Sequence, residues 1–305
     1  MLKLIKNELT KIFKRKNIYI LLTIGILIII AYNIFQKITN SNMDISKQYQ
    51  RAYNNDKMLL ENYDELNIDE SYEEIEERIK LEEYAINNKI KYNIFLNTEN
   101  KNAPLPSDAR ILLMKIFNNF DIIIIFILIY LSTTIITEEC SNGTIKYLLI
   151  KPHTRVKILF SKIITSILII ITITSFITVF QYLLGGILFG FNSYSLEAII
   201  YNSSDKIIET TSLANYMITL IISKIPMYFI LSIISLLFGV VTNNIALNIL
   251  ISLGMYLVIY NYDISKYLYS SDALLNKYII IFTISIIILL MLLTVIFKKK
   301  DIKNM

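Results

Sequence analysis

The chain has 305 residues, is 54% hydrophobic, and has a mean hydropathy of +0.53 and a formal net charge of +5. Length alone allows about two soluble domains, but blocks of Ile and Leu too long and too uncharged for water-facing helices exclude that reading. One cysteine, Cys140, excludes an intrachain disulfide, and one histidine, His153, excludes an H-E-x-x-H zinc site.

A membrane-spanning helix needs about 20 mainly apolar residues, each adding ~1.5 Å against a hydrocarbon core of ~30 Å. Residues 1–17 are expected to form an amphipathic helix. Leu2, Ile5, Leu9, Ile12 and Phe13 recur at helical spacing opposite lysines, as in a helix lying in the headgroup plane. The first span is read at 18–35. Its basic leader resembles that of a signal peptide, but its apolar stretch is too long and no small-x-small cleavage site follows, so it is read as retained. Residues 36–119 are polar and acidic. Tyr72, Ile75, Ile79, Ala85, Ile86 and Ile90 predict a helix there, and Pro104 and Pro106 end it. This segment is expected as a small helical extracytoplasmic insertion with too little apolar surface for its own core.

The second span is placed at 120–136, a basic polar segment at 137–162, and a third span at 163–189. The third would measure roughly 40 Å, so it must tilt, project, or break near Gly185-Gly186. A loop at 190–212 leads to the fourth span, 213–241, where Pro226 is a candidate break. Thr242, Asn243 and Asn244 read as a tight turn into a fifth span at 245–260, with one re-entrant hairpin as the competing reading. A loop at 261–277, a sixth span at 278–297 and a basic tail at 298–305 complete the chain. The fold class is therefore an all-α membrane protein of six transmembrane helices with an N-terminal interfacial helix.

Charge sets the expected orientation. Lys3, Lys6, Lys11, Lys14, Arg15 and Lys16 precede the first span against Glu8 alone. Lys146, Lys151, Arg155, Lys157 and Lys162 lie between spans two and three, and Lys298, Lys299, Lys300 and Lys303 follow the last. The alternate loops are acidic or neutral. Both termini are therefore expected in the cytoplasm. The cations are scattered at membrane edges, which argues against nucleic-acid binding.

No catalytic or metal site emerges. A phosphate-binding loop needs G-x-x-x-x-G-K-[ST]. Gly185 and Gly190 have that spacing, but Phe191-Asn192 follow, so this chain is not expected to hydrolyse ATP. His153 reads as a solvated loop histidine. Asp121 and Lys224 are ionisable at span positions, where charge is expensive. They are candidates for a substrate path or a charge pair; the alternative, preferred on sequence alone, has both snorkel to the outer interface.

The richest segment is 137–162. It leaves the membrane with Glu138 and Glu139, turns near Asn142-Gly143, and forms a short predicted helix carrying Ile145, Leu148 and Leu149. It turns again at Pro152 and re-enters with Arg155, Lys157 and Lys162. A docking element and a plain positive-inside loop are both open readings.

Glu138 or Glu139, Gly143, Thr144, Leu148, Leu149, Pro152, Arg155 and Lys162 together resemble the pattern of the bacterial type-2 ABC transporter permease family. His153-Thr154 departs from the small polar residues often found there. The resemblance implies a permease subunit of an ATP-driven exporter in a bacterial cell membrane, paired with a second permease copy or homologue. It implies cytoplasmic ATPase subunits as partners, with ATP and Mg bound there and no cofactor in this chain. Glu138 to Arg155 would be the coupling element. The cargo expected is apolar or amphipathic: a peptide, antibiotic or lipid, as in resistance to antimicrobial peptides. The alternative is a non-transporting immunity or sensor protein that binds a peptide through 36–119. A secondary transporter would want more buried charge and paired half-repeats.

Overall fold

Six helices are long and apolar enough to cross a membrane, by length and composition. They belong to a computed structural model that describes residues 1–40, 45–63, 71–88, 94–95, 108–144, 154–191, 197–202, 207–267 and 272–299. In chain order, α1 (Leu2–Phe13) leads into the first candidate span, α2 (Lys16–Asn40). Next come α3 (Ile45–Glu61), α4 (Tyr72–Asn87), a short strand β1 (Ile94–Phe95) and α5 (Ala109–Asn119). Then α6 (Asp121–Ser141) and α7 (Arg155–Phe189) cross. Strands β2 (Glu197–Asn202) and β3 (Ile207–Ser212) precede α8 (Leu213–Thr242), α9 (Ile245–Ile259) and α10 (Asp272–Lys299).

Helix starts follow from local chemistry. The side chains of Asp108, Thr154, Ser212 and Asn244 each accept a hydrogen bond from a backbone N–H in the first turn of α5, α7, α8 and α9. Asn243 takes the left-handed conformation, φ 51°, between α8 and α9. An Asn tolerates that region, so the uncharged Thr-Asn-Asn run ends one helix and caps the next.

Helices α6 and α8 form the buried centre and pack on each other; α7 and α9 flank them. The outward faces of α2, α9 and α10 stay apolar and exposed: Leu27, Leu257 and Met291 are each more than 60% exposed. Such faces suit lipid, where hydrocarbon replaces water as the solvent. The chain is thus a multi-pass, helical membrane protein.

Two candidate breaks are absent. Helix α7 runs unbroken for 35 residues through Gly185 and Gly186. The glycine is needed for contact: a Cβ at Gly185 would lie 2.8 Å from the backbone Cα of Ala109 at the start of α5. Helix α8 also continues through Pro226. Gly185→Ala should therefore cost about 1–3 kcal/mol by overpacking. Gly254→Ala, where a Cβ meets nothing within 4 Å, should be neutral or slightly stabilising. Thermal unfolding of the two variants in detergent checks the contrast.

Among the described residues of the polar insertion, α3 and α4 pair through a buried Arg78–Asp56 contact at 2.9 Å. The small sheet was not anticipated. β1 runs parallel to β2 (Ile94 opposite Ala198), and β2 runs antiparallel to β3, with Glu197 opposite Ser212 and Asn202 opposite Ile207.

Candidate functional site: two buried ion clusters

Helix α1 turns Glu8 and Ile12 inward, four residues apart on one face. Leu2 and Phe13, also expected on its apolar stripe, are exposed. Glu8 meets Lys162, which α7 carries inward and which is 0% exposed. The Lys162 ammonium lies 3.1 Å from Glu8 Oε2 and 2.6 Å from Glu139 Oε2, and donates to the Ile135 carbonyl at 2.8 Å. All three ammonium protons therefore have acceptors. Lys11 adds a second bridge, 2.6 Å to Glu139 Oε1 and 3.3 Å to Glu8 Oε1. Arg15 closes the set at 2.7 Å from Glu138 Oε2.

Three carboxylates thus face three cations, and the cluster is neutral. Burial pulls the Lys11 ammonium down, but its hydrogen bond to Glu139 and the charges of Glu139 and Glu8 outweigh that, so its pKa is raised. A raised lysine contributes its full stability below its ordinary pKa and loses it as pH rises through the folded value. Neutral pH therefore lies on the plateau.

This cluster frames the segment singled out in the sequence. Helix α6 ends at Ser141, and Gly143 follows at φ 66°, with nothing among the described residues within 4 Å of where a Cβ would lie. The Thr144 hydroxyl donates to the Glu139 carbonyl at 3.5 Å. Helix α7 begins at Arg155, which donates to the Lys298 carbonyl at 2.9 Å and so ties α7 to the end of α10. Leu148, Leu149, Pro152 and His153 lie outside the described residues. A groove of ≈ 620 Å³ runs between α1 and the end of α6, lined by Asn7, Lys11, Lys14, Glu138, Asn142 and Thr144 among others.

At the other end of α6, the preference for snorkelling is overturned. Asp121 is 3% exposed and Lys224 is 2% exposed. The Lys224 ammonium sits 3.1 Å from Asp121 Oδ2 and 2.6 Å from Asp263 Oδ2. Asp263 also accepts from the Ser265 hydroxyl at 2.8 Å and the Ser265 N–H at 3.1 Å. The Tyr256 hydroxyl oxygen lies 3.3 Å from Asp121 Oδ1.

A polar seam joins the two ends along the α6–α8–α9 contact. The Ser132 and Ser232 hydroxyls are 3.1 Å apart and those of Ser235 and Ser252 are 3.0 Å apart. The Asn248 amide donates to Thr137 Oγ1 at 3.1 Å and to the Ser235 carbonyl at 2.8 Å. Among the described residues no group of three His, Cys, Asp or Glu is placed to hold a metal ion.

The sequence pointed to Glu138, Glu139, Gly143, Thr144, Arg155, Asp121 and Lys224, and missed Glu8, Lys11 and Asp263 as their partners. The one available signal was Glu8, a lone acid in a basic leader, four residues from Leu4 and Ile12.

A family profile described as ABC-2 family transporter protein matches residues 2–302. The chain belongs to the ABC-2 transporter family. No curated protein and no solved structure gives a significant match. As an ABC-2 family protein the chain is a membrane permease of an ABC transporter. The family implies an ABC ATPase subunit as its partner.

Proposed function

We propose that this permease is the membrane half of an ATP-driven exporter of an apolar or amphipathic cargo: a peptide, an antibiotic or a lipid. Glu138 to Arg155 is its coupling segment, and α1 is clamped to both helices that bound it. The single observation behind this is the neutral six-ion cluster. It welds α1, α6 and α7 together where the segment leaves one span and enters the next. A push on that segment by an ATPase is then passed to three helices at once, because the buried ions resist separation. Two permeases with two ATPases complete the transporter. The basic end of the bundle faces the cytoplasm of a bacterial cell, by the excess of Lys and Arg in its short loops.

Within this reading the two glutamates part company. Glu139 is held by Lys162 and Lys11 and serves the clamp, whereas Gly143 and Thr144 begin the stretch that meets the partner. Gly143→Val places a β-branched residue at φ 66°, where only glycine is unstrained. The variant is expected to insert and unfold like wild type to within about 1–2 kcal/mol, yet to lose stimulation of its ATPase by about tenfold or more. The assay is ATP turnover by the co-purified complex in lipid. Normal stimulated turnover counts against the coupling role. Failure to retain any ATPase on the wild-type permease counts against the exporter reading itself.

A further inference from the structure

The cluster at the outer end of α6 does not balance. Asp121 and Asp263 face one cation, Lys224, and all three side chains are under 5% exposed. A net charge left in such a place is costly, and two carboxylates sharing one counter-ion commonly hold a proton between them.

The hydrogen bonds distinguish the two acids. Asp263 has the donor set of an ionised carboxylate: Lys224 at 2.6 Å and both donors of Ser265. Asp121 does not. Its contacts are Lys224 at 3.1 Å and the Tyr256 hydroxyl at 3.3 Å, both long for a charged acceptor.

A second buried phenol lies on α8. Tyr228 is 1% exposed and lies one helical turn from Lys224 on α8. Its hydroxyl has no hydrogen-bond partner among the described residues.

Other ionisable groups on this end are engaged elsewhere. Arg110 of α5 binds Asp108 and Lys115 binds Gln36. Tyr260 meets Tyr256 edge to face with ring centres 5.6 Å apart, and Lys277 of α10 is exposed.

We infer that Asp121 is a proton-binding site, carrying at neutral pH a proton on Oδ1 that it donates to the Tyr256 hydroxyl oxygen across their 3.3 Å contact, so that the Asp121–Lys224–Asp263 cluster is neutral. Asp263 is then the ionised partner of Lys224, and Asp121 is a neutral acid hydrogen-bonded to Tyr256.

Amide substitution separates the two roles. Asp121→Asn mimics the protonated acid and should leave the Tm of the detergent-purified, full-length permease unchanged to within about 2 °C. Asp263→Asn removes the counter-ion of Lys224 and should lower the Tm by several times that, or prevent folding. Infrared spectra at neutral pH should show the carbonyl stretch of a protonated carboxylic acid that is absent in Asp121→Asn and displaced in Tyr256→Phe. The proposal is overturned if Asp121→Asn falls as far as Asp263→Asn or fails to fold. It is also overturned if the wild type lacks the band, or if the band survives Asp121→Asn or is unmoved in Tyr256→Phe. A wild-type Tm that rises with sodium or potassium at constant ionic strength, and does not in Asp121→Asn, overturns it in favour of a bound metal cation.

Discussion

Lys162→Met should destabilise the protein by about 3–5 kcal/mol, the range for removing one partner from a buried ion pair. Lys162 is wholly buried, and its ammonium is shared by Glu8 and Glu139. Without it, two buried carboxylates depend on Lys11, whose side chain is 44% exposed, and on solvent that reaches them poorly. The methionine restores most of the volume, so the loss measures charge and not a cavity. Helix α1 should come away from the bundle, which limited proteolysis at its N-terminus reads directly.

The double variant Lys162→Met with Glu8→Leu provides the control. It removes one charge of each sign and leaves Lys11 bound to Glu139 at 2.6 Å. Replacing a buried pair with apolar side chains is commonly near neutral. Thermal unfolding of the double variant should therefore recover more than half of the single loss. A single variant as stable as wild type would show that the cluster is not a clamp.

Lys224→Met should have an effect of similar size, about 3–5 kcal/mol. Asp263 is 0% exposed and would keep only Ser265 as donor. The loop that carries it, between α9 and α10, should then loosen from α8. A second substitution identifies which aspartate was the counter-ion. Lys224→Met with Asp263→Asn should regain most of the loss, whereas Lys224→Met with Asp121→Asn should regain little. Unfolding of the four proteins forms a double-mutant cycle for each aspartate.

Much of the helical frame was legible because its signal is local. Asp121–Ser141 and Leu213–Thr242 are blocks rich in Ile and Leu with few charges, and no distant partner is needed to recognise them. The turn at Asn243 and Asn244 was legible for the same reason. The ion clusters were not, since Lys162 and Glu8 are 154 residues apart. Each charge had a sufficient local explanation as a topology signal or a snorkelling side chain. Gly185 and Pro226 misled in the other direction: both are ordinary helix breakers, but tertiary contact decides their use. The sheet had a weak signal in Ile199, Ile200, Ile207, Ile208, Thr210 and Thr211, whose β-branched side chains suit strands. It was outweighed by the polar composition of the loop.

The distance in sequence between Glu8 and Lys162 also sets a timetable for biogenesis. Helix α1 leaves the ribosome first, and its inward carboxylate then waits for a partner 154 residues away. At ~5–20 residues per second that is roughly 8–30 s of synthesis. Two hydrophobic segments, α2 and α6, must enter the bilayer in that interval. The clamp is thus a late-closing, high-contact-order feature. Nascent chains arrested before Lys162 should leave α1 open to protease, and chains arrested well beyond it should protect α1.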